Sequence, residues 1–390
     1  MKRVLTLTYG GAIICRAQKG GNKCGATIYG TQWLQPNIDR SNMNAWRWLL
    51  ITIAVGIVGC APLPASPPLT IGGKALRQGE PGYDSTLQIR YLGAGGVLFQ
   101  RGRDSIMTAP FFSNPSLLRV ALGRIEYDPR AADRSLGPIA ADIKDTNAIL
   151  VGHAHYDHLM DLPYIKETYL PQARIYGSDT ARYIMAAYPG VPHDDVVSVE
   201  PSLGEAHRSG KWWKVSTRVR FMALRSEHAP IVFHHMFVPG AYDKPLHEIP
   251  TKASDWREGQ TIAYLIDFLD DAGEIDFRIF YQDAGSTPPL GIPPDDDAVG
   301  TRRFDVAVLC MPGFDQVEGY PEGIVTRLNP LFVVGIHWEN FFEPLPDNPL
   351  ELHPVPTFDP ARFIARLNKA LSPDAKFFMP APGTWLQFQK

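Results

Sequence analysis

Between residues 153 and 158 the chain sets three histidines and an aspartate almost side by side, as His153-Ala154-His155-Tyr156-Asp157-His158. Imidazole and carboxylate at that density are metal ligands, imidazole suiting zinc, iron and manganese and the carboxylate adding a hard donor. Just ahead, Asn147-Ala148-Ile149-Leu150-Val151 is a short apolar, partly β-branched run that reads as a buried strand. The histidines therefore sit where a strand empties into a loop. Alternation along an extended backbone sends His153 and His155 to one side, and the turn that follows lets Asp157 and His158 address a second point nearby. One loop can thus serve two divalent metal ions, zinc first, with manganese or iron also suited. Two such ions would bring a bridging water toward neutral pKa, so that hydroxide could attack an electrophile polarised by the same metals. Asp157 is the residue placed to orient that hydroxide.

The spacing resembles the HxHxDH signature of the metallo-β-lactamase-fold superfamily. A dinuclear centre needs about six or seven ligands, and this motif supplies four. The resemblance implies that a further histidine, a bridging aspartate and a last histidine follow three later strands. His228, Asp283 and His337 stand at those places. By the same resemblance His153, His155 and His228 bind metal one, Asp157, His158 and His337 bind metal two, and Asp283 bridges. Two positions depart from the family pattern. Ala109-Pro110 stands where relatives acting on phosphorylated sugars or phospholipids usually carry Asp-Pro, and Ala284 replaces Thr in the turn Asp283-Ala284-Gly285. The run His155-Tyr156-Asp157-His158-Leu159 and a strand meander before it look most like the lactonase-type and N-acylphosphatidylethanolamine phospholipase D-type branch. That likeness implies a phosphodiester, phospholipid-like, or a lactone as substrate. Two other functions share the scaffold: an iron-dependent oxidoreductase and a catalytically inactive envelope binding protein.

The surrounding chain reads as elements that could hold these ligands. Leu87 to Leu92, Gly96 to Gln100 and Ser105 to Thr108 form a strand meander, Pro115 to Ile125 a short helix, and Glu126 to Pro138 a charged connection. Helices are expected over 161–170, 179–188 and 359–371, with strands over 174–177, 196–199, 211–215 and 219–224. A hairpin of 261–268 with 276–281 turns at Asp270-Asp271-Ala272-Gly273. The runs 304–310, 331–336 and 376–379 complete the strands. A long insertion over 229–259 carries His234 and His235, which could face substrate, because loops of that length usually cover or line a site. Strands and helices alternating twice over give an α/β chain, a four-layer αββα sandwich of two mixed sheets with helices outside.

Several residues near the ligands have two readings. Tyr156 faces the cavity or packs beneath it, Trp338 would wall a pocket, and Trp212-Trp213 reads as a buried hairpin pair. Asp161 and Asp305 could orient metal-bound imidazoles, although Asp161 equally suits a helix N-terminus. His193, His207, His247 and His353 read as surface residues.

At 390 residues, 45% hydrophobic and 20% charged, the chain has enough apolar content for a sizeable core. A net charge of -3 gives no reason to expect nucleic acid as a partner. Residues 1–42 look unlike the rest and suit an over-called start. From Met43, Arg47 gives a modest positive region and Leu49 to Val58 a short apolar one, and Ile57-Val58-Gly59-Cys60 resembles a bacterial lipobox. The resemblance implies a signal peptide over 43–59, lipid on Cys60 as the membrane attachment, and, with Ala61 next, the outer membrane facing the periplasm. An uncleaved anchor helix or a buried strand is the alternative. Residues 60–83 would form a Pro-rich tether and 84–390 the hydrolase domain. With Cys15 and Cys24 lost and Cys60 acylated, Cys310 would stand alone and no disulfide could form. The expected ligand is a small-molecule or lipid substrate.

Overall fold

A computed structural model describes residues 69–230 and 238–390. The leader, Cys60 and His234 and His235 lie outside these residues. Among them run strands β1 (Leu69–Thr70), β2 (Leu87–Gly93), β3 (Gly96–Arg101), β4 (Asp104–Thr108), β5 (Ala148–Leu150), β6 (Arg174–Gly177) and β7 (Val196–Ser198). There follow β8 (Trp212–Lys214), β9 (Val219–Arg225), β10 (Ile262–Leu269), β11 (Ile275–Gln282), β12 (Val306–Cys310), β13 (Phe332–Ile336), β14 (Lys376–Pro380) and β15 (Trp385–Phe388). One sheet has the order β15-β2-β3-β4-β5-β6-β7 and the other β1-β14-β13-β12-β11-β10-β9-β8. Both are mixed, antiparallel at one end and parallel at the other. The helices are α1 (Leu117–Leu122), α2 (Pro129–Leu136), α3 (Ala140–Ile143), α4 (Tyr156–Leu159), α5 (Leu162–Thr168), α6 (Asp179–Met185), α7 (Glu322–Leu328) and α8 (Pro360–Ala370). The two sheets flanked by helices are the expected αββα sandwich.

Strand alternation divides the apolar residues between the layers. On β5, Ala148 and Leu150 join the core between the sheets, with Ile89, Tyr91, Phe99, Phe221 and Tyr264. Ile149 and Val151 face the other way, onto Leu136, Leu159, Ile165 and Ile184 of the helices. A buried ionic knot crosses the second sheet. Asp267 on β10 accepts from Arg278 Nε at 2.8 Å and Nη2 at 3.0 Å on β11, and from Arg220 Nε at 3.0 Å on β9. The three residues are register neighbours, so the knot holds three strands together.

Three readings of the sequence need correction. The connection at 126–138 contains α2: Asp128 caps it by accepting from Arg130 N at 3.0 Å, Pro129 opens it, and Ala131, Ala132 and Leu136 are buried. Charged residues on its outer face hid the apolar stripe. Residues 69–83, read as the end of a tether, belong to the fold, since β1 pairs with β14 and Tyr83 is buried. Trp212 and Trp213 are half-buried on edge strand β8 rather than buried, with Arg220 over one ring and Lys211 over the other. The strand β15 and helix α7 also form where no element was expected.

Replacing Asp267 with Ala leaves the Arg278 guanidinium buried without its carboxylate. Chemical denaturation is expected to show a loss of about 3–5 kcal/mol, and a loss below about 1 kcal/mol would mean the knot is not a clamp.

Candidate metal centre

The strands that precede the seven candidate residues all deliver them to one edge. β9, β11 and β13 run in the same direction, because β9 and β11 are each antiparallel to β10 and β11 to β13 are parallel. Their C-terminal ends carry His228, Asp283 and His337. From the other sheet, β5 ends at Leu150 and the loop turns at His155 into the single-turn helix α4. Backbone and side-chain bonds from β10 and from the end of the insertion before it hold that loop. Tyr264 donates its hydroxyl to Val151 O at 2.7 Å, Ile262 N donates to Gly152 O at 2.7 Å, and Ala154 N to Glu258 O at 2.9 Å.

The side chains converge in three overlapping groups: His153, His155 and His228; His153, His158 and Asp283; and Asp157, His158 and His337. Within each group the donor atoms lie within 4.8 Å of one another. Asp283 Oδ1 is 3.3 Å from His153 Nδ1, and its Oδ2 is 3.3 Å from His158 Nδ1. Asp157 Oδ2 lies 3.5 Å from His158 Nε2 and 3.3 Å from His337 Nε2. His158 Nε2 and His337 Nε2 stand 3.2 Å apart. Two imidazole nitrogens at that distance need a proton or a cation between them, since two lone pairs repel.

Four features fit this donor set to two divalent cations. The buried His153 Nε2 has no hydrogen-bond partner among the described residues. His228 Nδ1 lies 2.7 Å from Ala229 O; the bond fixes the proton there and leaves Nε2 free as a donor atom for a metal. Two glycines make room. A Cβ on Gly152 would lie 2.1 Å from Asp283 Oδ2, and one on Gly95 would lie 2.5 Å from His158 Nδ1. Burial is the fourth, acting on protonation. It pushes the His153 imidazole well below its ordinary range, helped by the other histidines, and takes His158 and His228 down to about 3. These rings are therefore neutral, the form that ligates.

The carboxylates differ. Burial lifts Asp283 to about 7, partly opposed by His337. Burial also works to raise Asp157, but His158 and His337 outweigh it and hold the carboxyl well below the usual range. The His337 ring is raised, against the pull of burial, by its hydrogen bond and proximity to Asp157.

Several residues belong to the site that the sequence reading passed over. Glu339 is buried and accepts from the Tyr91 hydroxyl and from Ala94 N at 2.6 Å. The same Tyr91 oxygen accepts from His337 N at 2.9 Å. Glu339 thereby holds both the turn beneath His158 and the backbone of His337, which sits at φ +63°, a left-handed conformation costly for a side chain bearing a Cβ. A glutamate two residues beyond His337, between Trp338 and the pair Phe341-Phe342, was the available signal. Phe341 packs edge-on against His337, ring centres 4.8 Å apart.

Other candidates lie elsewhere. Tyr156 packs beneath the site against Phe111, ring centres 5.7 Å apart. Asp161 orients no imidazole and makes no side-chain cap. It accepts from Phe112 N at 2.6 Å and Ser113 N at 2.9 Å, pinning the loop after β4. Asp305 accepts from Arg278 N and Arg302, away from the ligands. Trp338 is buried and donates to Pro380 O at 2.8 Å, so it is an anchor and no pocket wall. His193, His207, His247 and His353 are exposed. The described part of the insertion, 238–259, packs on α6 through Tyr242 and Leu246 and sinks Trp256 into the helix-side core.

No family model and no curated protein matches the chain. Among solved structures it is similar to Igni18, a metallo hydrolase from the archaeon Ignicoccus hospitalis, at 16% identity over 78% of this chain and 100% of that one, TM-score 0.43. An isothiocyanate hydrolase from Delia radicum gut bacteria is 10% identical over 78% of this chain and 100% of that one, TM-score 0.45. CmlA, a diiron β-hydroxylase from Streptomyces venezuelae, is 12% identical over 79% of this chain and 54% of that one, TM-score 0.42.

Two measurements test the fit. Gly152→Ala should push Asp283 aside and cost at least one of two bound metal ions by elemental analysis, with circular dichroism unchanged; full metal content would refute the close contact. Metal competes with protons for Asp283, so affinity is expected to fall by about tenfold per pH unit for each proton displaced as pH drops below about 7. Chelator competition reads this slope, and Asp283→Asn should flatten it.

Proposed function

We propose that this protein is a metal-dependent hydrolase that binds two divalent cations through His153, His155, Asp157, His158, His228, Asp283 and His337. The arrangement of Asp283 carries the reading. It shares a group with His153 and His158, one member of each of the other two groups, which is where a bridging carboxylate belongs. Zinc is the preferred ion for a histidine-rich set of this kind, and manganese and iron suit the same donors. Bound there, the cations would supply Lewis acidity and an acidified water.

The chain's own groups then divide the work. His153, His155 and His228 come from both sheets and fix one side of the site against the other. Asp157, kept ionised by His158 and His337, is an acceptor that orients an attacking water by its O–H. Its acidity suits orientation better than proton storage. Glu339 and Tyr91 hold His337 in place, and Phe341 keeps one flank apolar. A phosphodiester, phospholipid-like, or a lactone is the substrate class we infer, and the lipobox-like Ile57-Val58-Gly59-Cys60 supports a lipid tether at the outer membrane, facing the periplasm.

Turnover of a chromogenic phosphodiester by protein purified without chelator tests this. Activity should vanish on metal removal and fall by about a hundredfold or more in Asp157→Asn. No turnover with two metals bound would remove phosphodiesters and leave lactones. A protein that binds no metal would overturn the whole reading.

A further inference from the structure

Helix α1 is built unlike the other helices of the fold. Of its six residues only Val120 is buried, while Leu117 is 45%, Leu118 69% and Leu122 77% exposed. Leu118 and Leu122 are one turn apart and form a common face, with Leu117 and Ala121 along its edge. Single exposed leucines are ordinary on a protein surface, but three on one short helix are a patch. The patch extends further. Ile125 N donates to Thr251 O at 2.8 Å, which brings the loop carrying exposed Ile249 beside the end of α1, and exposed Tyr127 follows.

Helix α1 and the turn that ends it carry charges of one sign, and the nearest acids, exposed Glu126, Asp128 and Glu248, lie at the Tyr127 and Ile249 end of the patch. From Ser116 to Ile125 the ionisable residues are Arg119 and Arg124, both exposed and neither in an ion pair among the described residues. Unpaired guanidinium groups flanking a leucine face match the interface of an anionic bilayer: leucines would enter the acyl boundary and the arginines would reach the phosphates. A second copy docked α1 to α1 would bring these arginines toward their own counterparts, which disfavours self-association.

We propose that α1 is a docking element for an anionic phospholipid surface. Its place in the fold gives this a purpose. α1 begins after the short link Asn114-Pro115-Ser116 from Phe112 and Ser113, which Asp161 pins to the end of the metal loop. A bilayer engaged by α1 would therefore lie beside the edge where the seven ligands converge. The proposal rests on this surface alone and stands whatever the cluster turns over.

Hydrogen exchange read by mass spectrometry on the full chain tests it, with vesicles of phosphatidylglycerol and phosphatidylcholine or of phosphatidylcholine alone. Amides of 116–125 are expected to exchange about tenfold more slowly with the anionic vesicles only. The protection should disappear in Leu118→Ser/Leu122→Ser, should weaken in Arg119→Ala/Arg124→Ala and should weaken with added salt. These positions are exposed, so the variants should fold. Protein held on vesicles with exchange at 116–125 unchanged would overturn the proposal, since another segment would then be the attachment. Failure to associate would overturn it too. Slowing that follows protein concentration without lipid would assign the patch to protein contact instead.

Discussion

Seven side chains of metal-ligating type crowd the meeting edge of two sheets, and that crowding is the constraint on which the rest of the structure depends. His158 Nε2 and His337 Nε2 at 3.2 Å cannot both present bare lone pairs without a positive charge nearby. Asp157 brings negative charge to that point, and Asp283 sits against the other nitrogen of His158. A neutral apolar core could be adjusted by small rearrangements, but a charge balance of this kind tolerates little movement. The fold answers with rigid backbone: strand ends, a hydroxyl from Tyr264 across the sheets, and glycines where a carboxylate or ring must touch the main chain.

Such rigidity is bought with local strain. His337 takes a left-handed backbone, and Glu339 with Tyr91 holds it there. The same glutamate grips Ala94 N, one residue before the glycine against which His158 rests. One buried carboxylate thus sets two candidate ligands that come from different sheets. Its influence passes through hydrogen bonds to backbone, which depend on geometry and very little on side-chain identity in between.

The candidate ligands were legible from the sequence because ligating side chains cannot be disguised. Imidazoles cluster where a strand ends, and His228, Asp283 and His337 stand just past runs of β-branched and apolar residues. The sandwich was legible from pattern too, since two-residue alternation survives in β2 and β11, while β5 and β10 are nearly continuous apolar runs. What escaped were residues whose role exists only in three dimensions. Glu339 looks like any strand-end acid until Tyr91, 248 residues earlier, closes on it. Gly152 matters because Asp283 arrives beside it from the other sheet. Helix α2 was lost among charges that face water, and β15 is too short to declare itself without β2. Asp161 illustrates the opposite error: its proximity in sequence to the histidines suggested a shared task, while its carboxylate is spent on the loop after β4.

The two sheets are also closed by strands from opposite ends of the described fold. Phe388 is the register partner of Leu87, and Leu69 that of Met379. A chain emerging from the ribosome would therefore complete the first five ligands long before either sheet acquires its final edge. During that interval β2 would present an open row of backbone donors and acceptors, the condition in which strands recruit the wrong neighbour, and β1 would wait for β14. Closure comes from residues 385–388, so these few positions guard against misassembly out of proportion to the surface they bury.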